Sequence, residues 1–243
     1  MSILAIDAGN TRIKWGLHDG TRWVQQGAFA TAETERFEEA LVLIGVSDSA
    51  IVANVAGERV AQILSGILRS RGIEPFWAQS RAEQCGVRSS YADPGQLGVD
   101  RWAALIGARH LYPGACVVVN VGTTMTVDAL SSDSIFLGGF IVCGYTIMRE
   151  ALARRTAQLE LYQGAFSFFP DNTADAIASG ALNALAGAVD RMCRYMIETG
   201  EDEPLIVLSG GNAALLQPRL QSAPELVENL VLEGLVRMGT ENG

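Results

Sequence analysis

Asp7 closes an apolar run, Ile3 to Ile6, and Gly9, Asn10 and Thr11 follow it almost at once. A carboxylate at the end of a buried strand, beside a turn of glycine, amide and hydroxyl, supports two kinds of chemistry. It can accept hydrogen bonds from the turn's own amides, as Asp does in ordinary turns. It can also face a phosphate through Mg²⁺, while backbone N–H groups and hydroxyls of the turn hold the anion. The arrangement returns 113 residues later in "CVVVNVGTTMTVDAL", which starts at Cys116 and aligns with the opening stretch without a gap. Asn120 falls on Asp7, Gly122 on Gly9, Thr123 on Asn10 and Thr124 on Thr11. A second copy favours the second chemistry, a polyphosphate gripped by two turns. No GxxxxGK[ST], VAIK or HRD sequence occurs, so neither a P-loop nor protein-kinase machinery supplies the grip.

Asp100 stands between the turn-rich "YADPGQLG" and the helical "RWAALIGARHL". It can cap the helix start, or take the proton of an attacking hydroxyl, and the two roles are compatible. Phosphoryl transfer through a loose transition state needs late proton removal and good positioning, so an ordinary carboxylate suffices. Lys14, the one lysine of the chain, lies on the return strand of the first turn and either touches phosphate or faces solvent.

These groups need elements to hold them. Each copy reads as a β-hairpin that opens one half of the chain, followed by α/β segments. In the first half, 22–31 reads as a third strand. Residues 33–45 read as one helix with Phe37, Leu41 and Ile44 on a face. Residues 50–55 read as a buried strand and 58–72 as a helix closed by Gly72. In the second half, 134–144 reads as a third strand and 172–200 as a long helix rich in small residues. Residues 204–216 read as a strand, a Gly-rich turn and a helix. The expected architecture is α/β, with halves at 1–113 and 114–243 facing each other across a nucleotide cleft. Trp15, Trp23, Trp77 and Trp102 read as core or interface residues.

Composition narrows the function. The 243 residues are 49% apolar and 19% charged, an ordinary globular balance. A net charge of −9 argues against nucleic-acid binding and offers no basic stripe to a membrane. No apolar run is long enough to span a bilayer. The first strand starts at once, and no N-terminal signal is expected. Four cysteines without CxxC spacing suggest reduced thiols and a cytoplasmic setting. His18 and His110 alone make a zinc site or a histidine-activated nucleophile poorly supplied.

Four motifs, "DAGNT" (Asp7 to Thr11), "GVDR" (Gly98 to Arg101), "GTTMTVD" (Gly122 to Asp128) and "GGFIVCG" (Gly138 to Gly144), stand in an order and spacing that resembles the type III pantothenate kinases. These belong to the superfamily of sugar kinases, acetate kinase, actin and heat-shock chaperones. The resemblance implies a duplicated ribonuclease-H-like fold and ATP-dependent phosphorylation of the primary hydroxyl of pantothenate, the first step of coenzyme A biosynthesis. It implies Mg²⁺ as cofactor and a homodimer whose subunits share the substrate pocket. Carried over by motif, Asp7, Ala8, Gly9, Asn10, Thr11, Arg12, Ile13 and Lys14 form the first phosphate motif, with Asp7 on Mg²⁺ directly or through water. Thr123 lies in the second, and Gly210 and Gly211 form the turn near adenosine. Tyr91, Gly98, Val99, Asp100 and Arg101 meet pantothenate, with Asp100 as base. Thr173 completes the pocket of the other subunit. Two departures stand out: Cys143 replaces a frequent Pro, and Asn120 replaces an Asp that helps bind K⁺ or NH₄⁺, which weakens that monovalent site here. The alternatives are a regulatory accessory protein of the same family, or a kinase for another small alcohol.

Overall fold

The computed structural model describes residues 2–44, 47–155 and 163–241. The chain divides into two compact units, Met1–Pro113 with Asn229–Gly243, and Gly114–Glu228.

In the first unit β1 (Ile3–Ala8), β2 (Arg12–His18) and β3 (Trp23–Ala30) form an antiparallel meander. β4 (Ser49–Asn54) joins β1 in parallel and β5 (Pro75–Trp77) joins β4 in parallel, giving the order β3-β2-β1-β4-β5. Leu4, Ile6 and Ala8 of β1 bury one face against Phe37, Leu41, Leu64 and Leu68. The other face, through Ile3 and Ala5, is buried too, which is why β1 reads as an unbroken apolar run.

The helix expected over 33–45 is a 3₁₀ turn, Thr31–Arg36, followed by α1 (Phe37–Ile44). Glu33 sits at φ −112°, ψ 37°, outside helical geometry. Arg36, bonded to the Glu33 carboxylate at 3.0 Å, stabilises the break. Phe37 and Leu41 are buried as expected; the Ile44 side chain and residue 45 lie outside the described residues. α2 (Glu58–Ser70) buries Val60, Leu64 and Leu68. A short hairpin, β6 (Glu83–Gln84) with β7 (Val87–Ser89), then leads through a 3₁₀ turn at Pro94–Gln96 into α3 (Val99–Leu111).

The second unit repeats the plan. β8 (Cys116–Val121), β9 (Thr124–Leu130) and β10 (Ile135–Cys143) form the meander. α4 (Tyr145–Arg155) and α5 (Thr173–Glu198) follow, then β11 (Leu205–Ser209), α6 (Ala213–Leu216) and β12 (Glu225–Leu226). Within this unit the strand order is β12-β11-β8-β9-β10, with β11 parallel to β8. α5 turns Leu185, Val189, Met192 and Met196 toward the sheet, one stripe at helical spacing.

The repeat survives in burial. β1 and β8 share one six-residue pattern, in which Asp7 and Asn120 are the only positions not fully buried. β2 and β9 also share one pattern, but Arg12 matches Thr124. The gapless alignment therefore fails at the turn. Ala8 pairs with Ile13, whereas Val121 pairs with Met125, so the second turn is one residue shorter.

The C-terminal helix α7 (Leu230–Glu241) belongs to the first unit, not to a half running to residue 243 as expected. It crosses α3 with backbones in close approach: a Cβ at Gly107 would lie 2.6 Å from the Leu230 carbonyl, and one at Gly234 would collide with that of Ala103. Trp23 Nε1 donates to Glu233 and ties β3 to the same helix.

Candidate active site

In the first turn the Gly9 N–H donates to the Arg12 carbonyl at 3.1 Å, not to Asp7. Thr31 completes the fold of the turn, donating Oγ1 to the Gly9 carbonyl at 2.7 Å and its N–H to that of Thr11 at 3.0 Å. Asn10, Thr11 and Arg12 are left facing solvent. Thr31 is a tie that sequence reading missed, because it lies 20 residues from the turn it closes.

Asp7 is half-buried at the end of β1, opposite Lys14 on β2. Burial, and then the negative charge of Asp100, push its carboxyl up to about 7, against the opposing pull of Lys14. Lys14 thus sits across from the carboxylate but does not neutralise it. The structure brings Asp7 and Asp100 close enough to repel, although they are far apart in sequence. Lys14 offsets only part of this penalty, and a divalent cation beside Asp7 would offset more of it. Among the described residues no cluster of three or more His, Cys, Asp or Glu side chains could hold a metal. A Mg²⁺ that takes most of its ligands from phosphates and water needs a single protein carboxylate, and Asp7 offers one.

Asp100 is the second residue of α3 and its Oδ1 accepts the Arg101 N–H at 2.9 Å. It serves one orphan amide of the helix start while keeping its other oxygen for chemistry. Gly98 occupies the cap position and leaves Asp100 this rotamer: a Cβ there would stand 2.6 Å from Asp100 Oδ1 and would turn the side chain aside. Arg101 is buried, 6% exposed, and so is not a surface ion-pairing residue. Val99 and Tyr91 are half-buried along the same segment. Asp93 holds the preceding turn by accepting the Gly95 N–H at 3.0 Å.

In the second unit the Gly122 N–H donates to the Thr124 carbonyl at 2.9 Å, and Thr123 is exposed. The Gly144 N–H donates to the Thr123 carbonyl at 2.9 Å, which fixes this turn from β10 as Thr31 fixes the other. Gly210 adopts φ 102° and presses on the end of β8; a Cβ there would lie 2.6 Å from Asn120 Oδ1. The Asn212 N–H donates to the Val121 carbonyl at 3.0 Å. Asn120, Gly122, Thr123, Gly210 and Gly211 thus form one backbone-rich corner. Asp128 is buried, 1% exposed, two residues along β9 from Thr126, the partner of Asn120.

Thr173 is the first residue of α5 and is exposed; the cap is Asn172, whose Oδ1 accepts the Asp175 N–H at 2.9 Å. It lines a cavity of about 1180 Å³ with Val142, Met148, Leu152 and Ile177. Phe168 and Phe169 nearby in sequence are 85% and 93% exposed.

A chain built from two α/β units, each with a meander and a hydroxyl-bearing turn at its first strand, has the duplicated ribonuclease-H-like fold of actin-like ATPases and sugar kinases. The activator of the 2-hydroxyisocaproyl-CoA dehydratase from Clostridium difficile, solved with bound ADPNP, shares this fold at a TM-score of 0.57 and 10% identity, covering 100% of this chain and 96% of that one. The family profile of type III pantothenate kinase matches residues 3–195. A type III pantothenate kinase of Nitrosospira multiformis is 44% identical over 98% of this chain and 91% of its own length. That of Aromatoleum aromaticum is 45% identical over 99% and 98%. The chain belongs to the type III pantothenate kinase family, and it is a kinase.

Proposed function

We propose that this chain transfers the γ-phosphoryl group of ATP to the primary hydroxyl of pantothenate, giving 4'-phosphopantothenate and ADP in the cytoplasm. The observation that carries this reading is Asp100: a carboxylate at a helix start, given room by Gly98 and lying within electrostatic reach of Asp7. The hydroxyl proton passes to Asp100 as the new O–P bond forms and the bond to ADP breaks. Arg101, Tyr91, Gly98 and Val99 orient the acceptor. Asp7 and the stretch from Ala8 to Lys14 hold phosphates in the first unit, as Thr123 does in the second, with Gly210 and Gly211 at adenosine. Asp7 would hold Mg²⁺, directly or through water, and the ion would supply charge neutralisation on the phosphates when bound. Release of ADP, measured with and without pantothenate and with other small alcohols, tests the reading. ADP formation that requires pantothenate supports it; release indifferent to the acceptor contradicts it.

Asn120 limits the ion requirement. A neutral amide in place of a carboxylate forgoes roughly 1–4 kcal/mol of attraction for a nearby monovalent cation. The enzyme is therefore expected to need Mg²⁺ but to depend little on K⁺ or NH₄⁺. Initial rates at fixed Mg·ATP and ionic strength, with K⁺ replaced by Na⁺, check this. A drop of about tenfold would show that Asp128 or backbone carbonyls rebuild the site.

The active assembly is a homodimer in which Thr173 of one subunit completes the pocket of the other. What supports this is the exposed apolar face of the second unit: Phe168, Phe169, Ile141 and the cavity that Thr173 lines. Mixed Asp100→Asn and Thr173→Val chains should regain activity on subunit exchange, up to about a quarter of wild type, since half of the dimers then hold one undamaged site. No gain over the separate variants, or a monomer by light scattering, contradicts sharing.

A further inference from the structure

Tyr91 and the Gly98–Arg101 stretch lie on one segment, and a buried pair that has no role so far closes its base. Trp102 Nε1 donates to Gln84 Oε1 at 3.1 Å. Trp102 has no exposed surface and Gln84 only 4%. Gln84 ends β6 on the incoming side of the segment, and Trp102 stands two residues beyond Asp100 on the outgoing side. Ser80 Oγ adds a second tie, donating at 2.8 Å to the carbonyl of Leu97, the residue before Gly98. The Cys85 N–H, in the β6–β7 turn, donates at 3.0 Å to Glu241 of α7.

An apolar side chain in place of Gln84 would fill space without needing a partner. A buried amide is tolerated only where its hydrogen bonds are made. What the polar pair adds is a single permitted arrangement, because either group left alone is penalised.

We propose that Gln84 is a positioning residue for the acceptor substrate. Through Trp102 it fixes the start of α3, and through the β6–β7 turn it fixes the entry to the segment that carries Tyr91. The inference rests on the pantothenate reading, and it concerns how that pocket keeps its shape.

Steady-state kinetics on the full chain, varying pantothenate at saturating ATP and the reverse, test it. Gln84→Met leaves the Trp102 N–H buried without an acceptor. It should raise KM for pantothenate about tenfold, equivalent to ~1.4 kcal/mol, and leave KM for ATP within about twofold of wild type. Trp102→Phe breaks the pair from the other side with the same split, and it carries the test if Gln84→Met does not fold. The double variant removes both polar partners, so its KM for pantothenate should fall back to within about threefold of wild type. A purely structural role would instead lower the melting temperature and the active fraction with both KM values unchanged. Single variants without the split, or a double variant worse than either, overturn the inference while the substrate reading stands. A wild-type chain inactive on pantothenate overturns the substrate reading and this inference with it.

Discussion

Replacing Asp100 by Asn lowers kcat by two to four orders of magnitude, about the range for losing a general base, while pantothenate still binds. The amide keeps the size of the side chain and an oxygen for the Arg101 N–H, which Oδ1 accepts at 2.9 Å. The helix start and the room made by Gly98 are therefore preserved, and what is lost is the capacity to accept a proton. A variant with more than about a tenth of wild-type kcat, a barrier change under ~1.4 kcal/mol, would show that Asp100 is a capping residue and no base. Calorimetric titration with pantothenate separates a chemical defect from a binding defect.

Asp7→Asn should have opposite effects on activity and on stability. Activity with Mg·ATP should fall about 100-fold or more, in the range for removing one preorganised electrostatic contact in a site. The metal-free protein should become more stable at pH 8. The sign follows from linkage: the folded carboxyl titrates at about 7 and the free one at 3.8. The folded state holds its proton more tightly, so stability falls as pH rises from about 4 to about 7 and stays low above that. The full difference is on the order of 4 kcal/mol. Urea midpoints at pH 5 and pH 8 in metal-free buffer check this. The wild type should lose stability relative to Asp7→Asn across that interval. Parallel behaviour of the two proteins would mean that the carboxylate is not penalised by burial and the neighbouring charge of Asp100.

The two strand-and-turn units were legible because they are local. The strand, turn and hydroxyl pattern around Asp7 and its recurrence at Asn120 follow from residue type and spacing. Their shared burial pattern shows that both turns sit on equivalent strand ends. The one-residue shortening of the second turn was not legible, because a gapless match of side chains carries no information on hydrogen-bond register. The break at Glu33 escaped for a similar reason: Glu, Thr and Arg suit a helix, and the i,i+3 pairing with Arg36 stabilises a kink as readily. α7 was missed altogether. Gly234 and Gly239 lower its helix propensity, and its apolar residues point around most of the helix rather than along one stripe. Only its packing against α3 and the sheet explains both features, and that contact is tertiary. The hairpin of Glu83–Gln84 and Val87–Ser89 is too short for periodicity to reveal.

The central claim is transfer to the primary hydroxyl of pantothenate, and the product tests it most directly. Purified enzyme with Mg·ATP and pantothenate should give one ADP for each acceptor that gains a phosphoryl group. Phosphorus NMR should place that group on the primary hydroxyl, and an analogue carrying hydrogen in place of that hydroxyl should yield no ADP above background. ADP formed at the same rate from the analogue, or a phosphoryl group found on any other oxygen, would contradict the account.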